Sequence, residues 1–108
     1  MLHKIFINLT KGIRVKDTSN DLAVAVSIFS SFQNISIPNK YVFIGELGLN
    51  GEVKRIENID KRLKEISRLG FEYSIIPKDS TRNLKFDYKN LKLKEISHIS
   101  EIREMFIS

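Results

Sequence analysis

The segment Tyr41–Val53 constrains the fold most strongly, because a four-residue apolar run meets three closely spaced glycines without losing its hydrophobic pattern. The pattern predicts a strand, a tight turn at Asn50 and Gly51, and a return strand, since an Asn-Gly pair tolerates positive φ at both central turn positions. Three apolar residues would then pair across the hairpin: Leu47, Leu49 and Val53. Gly45 and Gly48 need a separate reason, because glycine inside a strand usually marks a bulge or a close approach by another backbone.

The size and composition predict one domain over residues 1–108. A chain of 108 residues with 42% apolar content can form one packed core and has no room for a second. No apolar stretch is long enough to cross a membrane, and Met1–Phe6 lacks the order of a signal peptide, so the cytoplasm is the expected location. The chain has no cysteine, and His3 and His98 give no metal-ligand spacing, so no cofactor or metal is expected in this domain.

The net charge of +5 is unevenly distributed along the chain. Residues 1–16 carry four basic side chains and no acidic one, and residues 78–94 carry six basic against two acidic side chains. Such asymmetry favours polyanionic partners through counterion release. The alternative is an ordinary solvated face, which composition alone favours.

The first half of the chain predicts a hairpin followed by a helix. Ile5–Leu9 and Ile13–Val15 are typical of two short paired strands around a Lys-Gly break. A helix over residues 22–32 then follows, with Thr18 or Ser19 as its cap, and its nearly continuous apolar surface indicates burial on most sides.

The second half of the chain predicts a helix capped by Asn58 and ended by a left-handed Gly70. Its apolar stripe comprises Ile59, Leu63, Ile66 and Leu69. Residues 71–77 and 91–96 are predicted strands on either side of a polar basic loop, and residues 97–106 form a short amphipathic helix. Because strands and helices alternate, we expect a two-layer α/β domain (α+β) with a mixed β-sheet packed with helices.

Motifs for independent catalysis are sparse. The chain has neither a phosphate loop nor a strand-anchored GxGxxG, and its two histidines lie near opposite ends with no elbow-type serine between them. A serine–lysine dyad is the remaining nucleophile system. It needs a serine at a helix start and a lysine whose pKa is lowered by burial.

Several segments together resemble a known family. They are Lys16–Phe32, which contains Asp21-Leu-Ala and the Ser30-Ser31 pair, then Phe43–Val53, Arg62–Phe71 and Ile75–Pro77. These segments resemble the C-terminal Lon-protease-like domains of the bacterial RadA (Sms) DNA-repair proteins, over a match from about Ile5 to the C-terminus. The resemblance implies the Lon-type fold with its left-handed βαβ crossover. A segment of a magnesium-chelatase-related ATPase is a more remote alternative, which the Ser30-Ser31 pair and the hairpin match less well.

The resemblance also implies that the protease dyad is degenerate. Asn20 falls at the position of the nucleophilic serine and Asp60 at that of the lysine, and an amide is no useful nucleophile. Ser19 and Lys61 each lie one residue away, and one step along a helix rotates a side chain by roughly 100°. A peptidase that uses Ser19 and Lys61 is therefore the weakest of the functional alternatives.

The leading hypothesis is a non-catalytic Lon-like module of a RadA-type, DNA-dependent ATPase in recombination and repair. The resemblance implies a ring-forming homo-oligomer, a hexamer, together with non-specific contact to DNA phosphates. The candidate DNA contacts are Lys54, Arg55, Lys61 and Arg62. The alternative is a purely structural oligomerisation module without DNA contact.

The resemblance implies further partners outside this sequence. RadA-like proteins also carry a four-cysteine zinc motif and a RecA-like ATPase domain, so ATP, Mg and Zn are implied only for those upstream domains. Met1 falls just before the first predicted strand, which favours an excised domain over a native start.

Overall fold

The structure is a computed structural model that describes residues 18–85 and 88–106. Its helices are α1 (Asp21–Phe32), α2 (Ile59–Arg68) and α3 (Ser100–Phe106). Its strands are β1 (Tyr41–Phe43), β2 (Glu46–Leu47), β3 (Val53–Lys54), β4 (Tyr73–Pro77) and β5 (Lys92–Ile96). Short 3₁₀ turns, Thr18–Asn20 and Ser80–Asn83, precede α1 and follow β4. The predicted hairpin of Ile5–Leu9 and Ile13–Val15 lies outside the described residues.

The strands form two separate sheets. β1, β4 and β5 pair in parallel in that order, with Tyr41 opposite Tyr73 and Tyr73 opposite Lys92. β2 and β3 pair antiparallel, with Leu47 opposite Val53. Parallel and antiparallel pairing therefore both occur among helices, which confirms the predicted mixed α/β class.

Helices pack on both faces of the three-stranded sheet. Successive side chains of a strand point to opposite faces, so the neighbours Ile75 and Ile76 of β4 enter different clusters. Ile75 packs with Leu22 of α1 and Ile102 of α3, whereas Ile76 packs with Leu63 of α2. The sequence predicts two layers, and in the structure α1 and α3 cover one face while α2 covers the other. None of the helices in the described ranges is long and apolar enough to span a membrane.

The start of α1 differs from the prediction of a Thr18 or Ser19 cap. Both residues belong to the 3₁₀ turn, and Asn20 occupies the cap position in a right-handed helical conformation, without a side-chain capping bond. The turn continues into the helix, and the Asn20 side chain neither donates nor accepts a capping bond there. The Asp21 carboxylate instead accepts a hydrogen bond from the Leu47 amide at 3.3 Å, which ties α1 to the hairpin.

The burial of α1 is also less complete than predicted. Within the described part of the chain, two residues of this helix are buried, Leu22 and Val26, and both belong to the core that includes Ile75. At the other end of the helix, Phe32 is 84% exposed. The continuous apolar run therefore marks a helix with one buried stripe.

α2 ends as its sequence predicts. Gly70 has φ +90°, its amide donates to the Ser67 carbonyl at 3.1 Å, and the Phe71 amide donates to the Ile66 carbonyl at 3.4 Å. This pair of bonds is the Schellman arrangement, in which a left-handed glycine closes the helix. Of the predicted stripe, Leu63 and Ile66 are buried and Ile59 packs beside them, while Leu69 is 63% exposed.

The hairpin turn is shifted by one residue from the prediction. The Gly51 amide donates to the Gly48 carbonyl at 3.1 Å, so Leu49 and Asn50 are the central residues, and Gly51 follows them with φ +85°. The predicted pairing of Leu49 is wrong, because its side chain lies at the turn and is fully exposed. Asn50 keeps a negative φ, and the left-handed position falls to Gly51 alone.

Gly45 lies where two parts of the backbone meet. Its amide donates to the Ser19 carbonyl at 3.0 Å, and its carbonyl accepts from the Leu22 amide at 3.0 Å. A Cβ atom at this position would lie 2.8 Å from Cγ1 of Val53. The predicted close approach of another backbone is therefore confirmed, and it joins the hairpin to the start of α1.

Candidate functional site

The two degenerate dyad positions are held by different partners. Oδ1 of Asn20 accepts a hydrogen bond from Nη2 of Arg62 at 3.2 Å. The Asp60 carboxylate accepts from the Lys85 amide at 3.2 Å and lies 3.1 Å from the Tyr88 hydroxyl. Among the described residues no hydrogen bond joins Asn20 to Asp60. The arrangement therefore fixes each side chain separately.

Tyr88 binds the first turn of α2 with its hydroxyl. The hydroxyl lies 2.9 Å from the main-chain oxygen of Asp60, and the carboxylate is close by. Burial of the phenol, and then its hydrogen bond to the Asp60 carboxylate, raise the pKa of Tyr88 to about 12. Tyr88 therefore remains a neutral hydrogen-bond donor across the physiological range.

Two clefts flank the beginning of α2. The turn cleft, of about 790 Å³, lies between the start of α2 and the turn that follows β4. The hairpin cleft, of about 770 Å³, lies between α2 and the segment that leads into α1. Arg55 and Lys61 line both. Because the turn follows β4 directly, the turn cleft lies at the carboxyl edge of the parallel sheet, where open α/β folds bind their ligands.

The hairpin cleft contains the residue pair of the peptidase alternative. Ser19 and Lys61 both line it. Ser19 is 5% exposed, and its carbonyl accepts a hydrogen bond from the Gly45 amide. Lys61 is exposed, whereas the base of a serine–lysine dyad needs burial. The structure thus brings both residues to one cleft without burying the lysine.

The structure brings together three of the four candidate DNA contacts. Arg55, Lys61 and Arg62 line the hairpin cleft, and Lys54 lines neither cleft. Lys54, Arg55 and Lys61 are exposed, while Arg62 is half-buried and donates to Asn20.

The turn cleft adds functional candidates that the sequence analysis did not identify. They are Lys64, Lys85 and Ser80. Lys64 lies one helical turn after the predicted pair in α2, and this spacing could have identified it. Ser80 and Lys85 come from a distant part of the sequence, and only the tertiary fold brings them to α2.

The ion pairs of this region leave several cations available. Glu65 pairs with Arg68 at 2.6 Å, and Asp79 pairs with Arg82 at 3.3 Å. In the part of the chain that the structure describes, the side chains of Arg55, Lys61 and Lys85 form no ion pair. Three basic and three acidic residues line the hairpin cleft, and four basic and three acidic residues line the turn cleft, so these exposed cations lie among carboxylates.

Comparisons with known proteins agree on one family relationship. A family model described as subunit ChlI of Mg-chelatase matches residues 1–80. DNA repair protein RadA of Aquifex aeolicus is 37% identical over 101 residues, which cover 94% of this chain and 22% of that protein. DNA repair protein RadA of a Helicobacter pylori strain is 38% identical over 102 residues, with the same coverage, and that of Campylobacter jejuni is 36% identical over 99 residues.

These similarities confirm the resemblance to RadA, and the chain spans 22% of the length of the relatives named here. The magnesium-chelatase relationship, which the sequence analysis gave as a more remote alternative, appears in the description of the matching family model. That model covers 80 of the 108 residues, and the RadA alignments extend over nearly the whole chain. The chain therefore belongs to the family described as subunit ChlI of Mg-chelatase, and within it is similar to a segment of DNA repair proteins named RadA.

Proposed function

We propose that this chain is a non-catalytic module of a RadA-type DNA repair protein and that it contacts DNA phosphates through the surface around Arg55 and Lys61. The observation that carries the proposal is the position of these two side chains. Both are exposed, both line the two clefts beside α2, and neither has an ion pair among the described residues. Phosphate contacts fix the position of a protein on DNA without reading its sequence, so the binding is non-specific.

The wider setting of the module is also part of the proposal. The chain acts in the cytoplasm, in DNA recombination and repair, beside a RecA-like ATPase domain of the same protein. ATP, Mg and Zn are bound by those other domains. The similarity to proteins named DNA repair protein RadA supports this setting.

Fluorescence anisotropy with a labelled DNA duplex at several salt concentrations tests DNA contact. The double variant Arg55→Gln/Lys61→Gln removes two charges from the cleft surface. Lys40→Gln/Lys92→Gln is the matched control, because these lysines lie over Tyr73, at the amino end of the sheet. Each lost phosphate contact lowers the slope of log K against log salt by about one, so the cleft variant loses about two and the control loses none. Equal losses in both variants, or binding that does not weaken with salt, contradict the proposal.

Self-association is a second candidate function, and exposed apolar side chains favour it. Phe32 and Leu69 are 84% and 63% exposed, and Leu49 is fully exposed at the hairpin turn. Contiguous apolar patches mark contact sites, whereas single exposed apolar side chains are common on monomers. We propose that the ring-forming homo-oligomer, a hexamer, uses the hairpin turn at Leu49, whose side chain is the most exposed of the three. Light scattering of the concentrated chain tests it: Leu49→Asp reduces the mass if the turn is a contact, and a strict monomer argues against self-assembly by this chain.

The non-catalytic part of the proposal has its own test. Asn20 and Asp60 lack the nucleophile and base of a serine–lysine dyad, and each is bound to other residues. Incubation with unfolded casein is expected to leave the casein intact. Cleavage that disappears in Ser19→Ala would assign peptidase activity to the hairpin cleft instead.

A further inference from the structure

We propose that Asn50 is a site of spontaneous deamidation, and that the hydrogen bonds of the hairpin turn, residues 48–51, limit its rate. Gly51 follows Asn50 directly, and no other asparagine of the chain precedes a glycine. Both residues lie in the turn between β2 and β3, which also carries Leu49. The inference concerns the covalent chemistry of this turn and does not depend on the proposed contact with DNA.

The reaction needs a nitrogen nucleophile next to a side-chain amide. The main-chain nitrogen of Gly51 loses its proton to a solvent base and attacks Cγ of Asn50, so that a C–N bond forms and a cyclic imide closes. The bond from Cγ to Nδ2 breaks, and ammonia leaves after it takes a proton from solvent. Water then opens the ring at either carbonyl carbon and gives aspartate or isoaspartate at position 50. Asparagine is among the chemically labile residues, and a following glycine has no Cβ to obstruct the attack.

The Asn50 side chain is open to this reaction. It is exposed, and within the described ranges its amide group makes no hydrogen bond. Asn39, Asn58 and Asn90 are also exposed, but lysine, isoleucine and leucine follow them. Asn50 therefore differs from these asparagines in having a neighbour without a side chain.

The hydrogen bonds within the hairpin turn restrain the attack. The Gly51 amide, which must lose its proton, donates to the Gly48 carbonyl at 3.1 Å. The Asn50 amide donates to Oε1 of Glu52 at 3.0 Å, and this bond is the first cause that holds the pKa of Glu52 below its usual 4.5. The Glu52 carboxylate is therefore charged at neutral pH, and it remains an acceptor for the turn.

The segment before α3 holds the same turn from outside the hairpin. Nδ1 of His98 accepts from the Ser100 amide at 3.1 Å, so Nε2 carries the proton and donates to the Asn50 carbonyl at 2.7 Å. The Ile99 amide donates to the Gly51 carbonyl at 2.9 Å. Each main-chain N–H and C=O of Asn50 and Gly51 thus has a partner. The attack changes the torsion angles between the two residues, so we expect it when these bonds open locally.

Peptide mapping by mass spectrometry, after incubation of the folded chain in mildly alkaline buffer, tests the site. We expect the mass change of an amide converted to an acid in the peptide that contains Asn50. An isoaspartate methyltransferase should label the same peptide. Asn39 and Asn58 are internal controls and should stay unchanged over the same period. Absence of conversion at Asn50, or equal conversion at all three asparagines, overturns the site.

His98→Ala tests the restraint by the turn. Loss of one hydrogen bond raises the open fraction of the turn by roughly two- to tenfold, and the rate should rise by the same factor. Ile66→Val is the matched control, because it causes a comparable loss of stability in the core cluster of α2 and keeps every residue of the turn. Complete unfolding in urea should give the fastest conversion. Equal rates in the folded chain and in urea, or equal acceleration by His98→Ala and Ile66→Val, overturn the role of local opening.

Discussion

Gly51→Ala should destabilise the protein more than Gly70→Ala, although both glycines have left-handed backbone conformations. Their φ angles are +85° and +90°, so alanine carries a similar strain of about 1–2 kcal/mol at each position. The surroundings differ. A Cβ at Gly70 would meet no atom within 4 Å, whereas a Cβ at Gly51 would lie 2.9 Å from Nε2 of His98 and 3.1 Å from Cγ2 of Ile99.

The expected difference in stability between Gly51→Ala and Gly70→Ala follows from the contacts that the added methyl group would displace at Gly51. Nε2 of His98 donates to the Asn50 carbonyl at 2.7 Å, and the Ile99 amide donates to the Gly51 carbonyl at 2.9 Å. Losing one such hydrogen bond costs about 0.5–1.5 kcal/mol, and an overpacked contact costs about 1–3 kcal/mol. The imidazole is partly exposed and can move, so we expect Gly51→Ala to lower the free energy of unfolding by about 2 kcal/mol more than Gly70→Ala does.

Urea denaturation followed by far-UV circular dichroism measures both losses, and it suits a chain without tryptophan. The double variant Gly51→Ala/His98→Ala isolates the contact. If the imidazole is the obstacle, the added cost of Gly51→Ala becomes much smaller once the ring is absent. Equal losses for Gly51→Ala and Gly70→Ala, or strict additivity with His98→Ala, would refute the steric argument.

Three further predictions concern the core and two titrating side chains. Leu63 is completely buried, so Leu63→Ala should lower the free energy of unfolding by about 2–5 kcal/mol in urea denaturation. The main-chain amide of Ser97 is the first cause that holds the pKa of Glu101 below its usual 4.5. This carboxylate therefore stabilises the fold above pH 4.5 and loses its effect as the pH falls through the lowered pKa, so Glu101→Gln should lower the urea midpoint at pH 7 and flatten its fall in acid. Ultraviolet titration should show Tyr88 ionising near pH 12, and Asp60→Asn should lower this pKa only partly, because burial is its larger cause.

The sequence predicts elements well where a local signal and the tertiary packing agree. α2 is an example, because its apolar stripe and the glycine that ends it both lie within residues 59–70, and Leu63, Ile66 and Gly70 all take their expected places. The pairing of Leu47 with Val53 is another, since alternation fixes which residues share a face. In these cases the information lies within a few residues of the element that it determines.

Predictions that depend on one backbone angle are less successful. Asn50-Gly51 indicates a turn, but the turn begins one residue earlier, and Leu49 moves from the paired strand to the exposed turn. At Asn58 the sequence correctly predicts the cap position of α2, but it does not predict how the residue behaves there. The residue is left-handed there, and its side chain makes no capping bond. Both positions tolerate more than one local conformation, and the tertiary contacts select among them.

The candidate site shows why function is harder to derive than fold for this chain. Asp60 and Lys61 are adjacent in sequence, yet Asp60 binds the loop that carries Lys85, while Lys61 remains exposed between the two clefts. The parallel pairing of β4 with β5 requires a connection that returns across the sheet, and this connection carries Ser80 and Lys85 past the start of α2. No sequence motif predicts the separate contacts of Asp60 and Lys61 or the path of this connection. Ser80 and Lys85 therefore join the residues of α2 in lining the turn cleft only through the tertiary fold, which no local pattern in the sequence predicts.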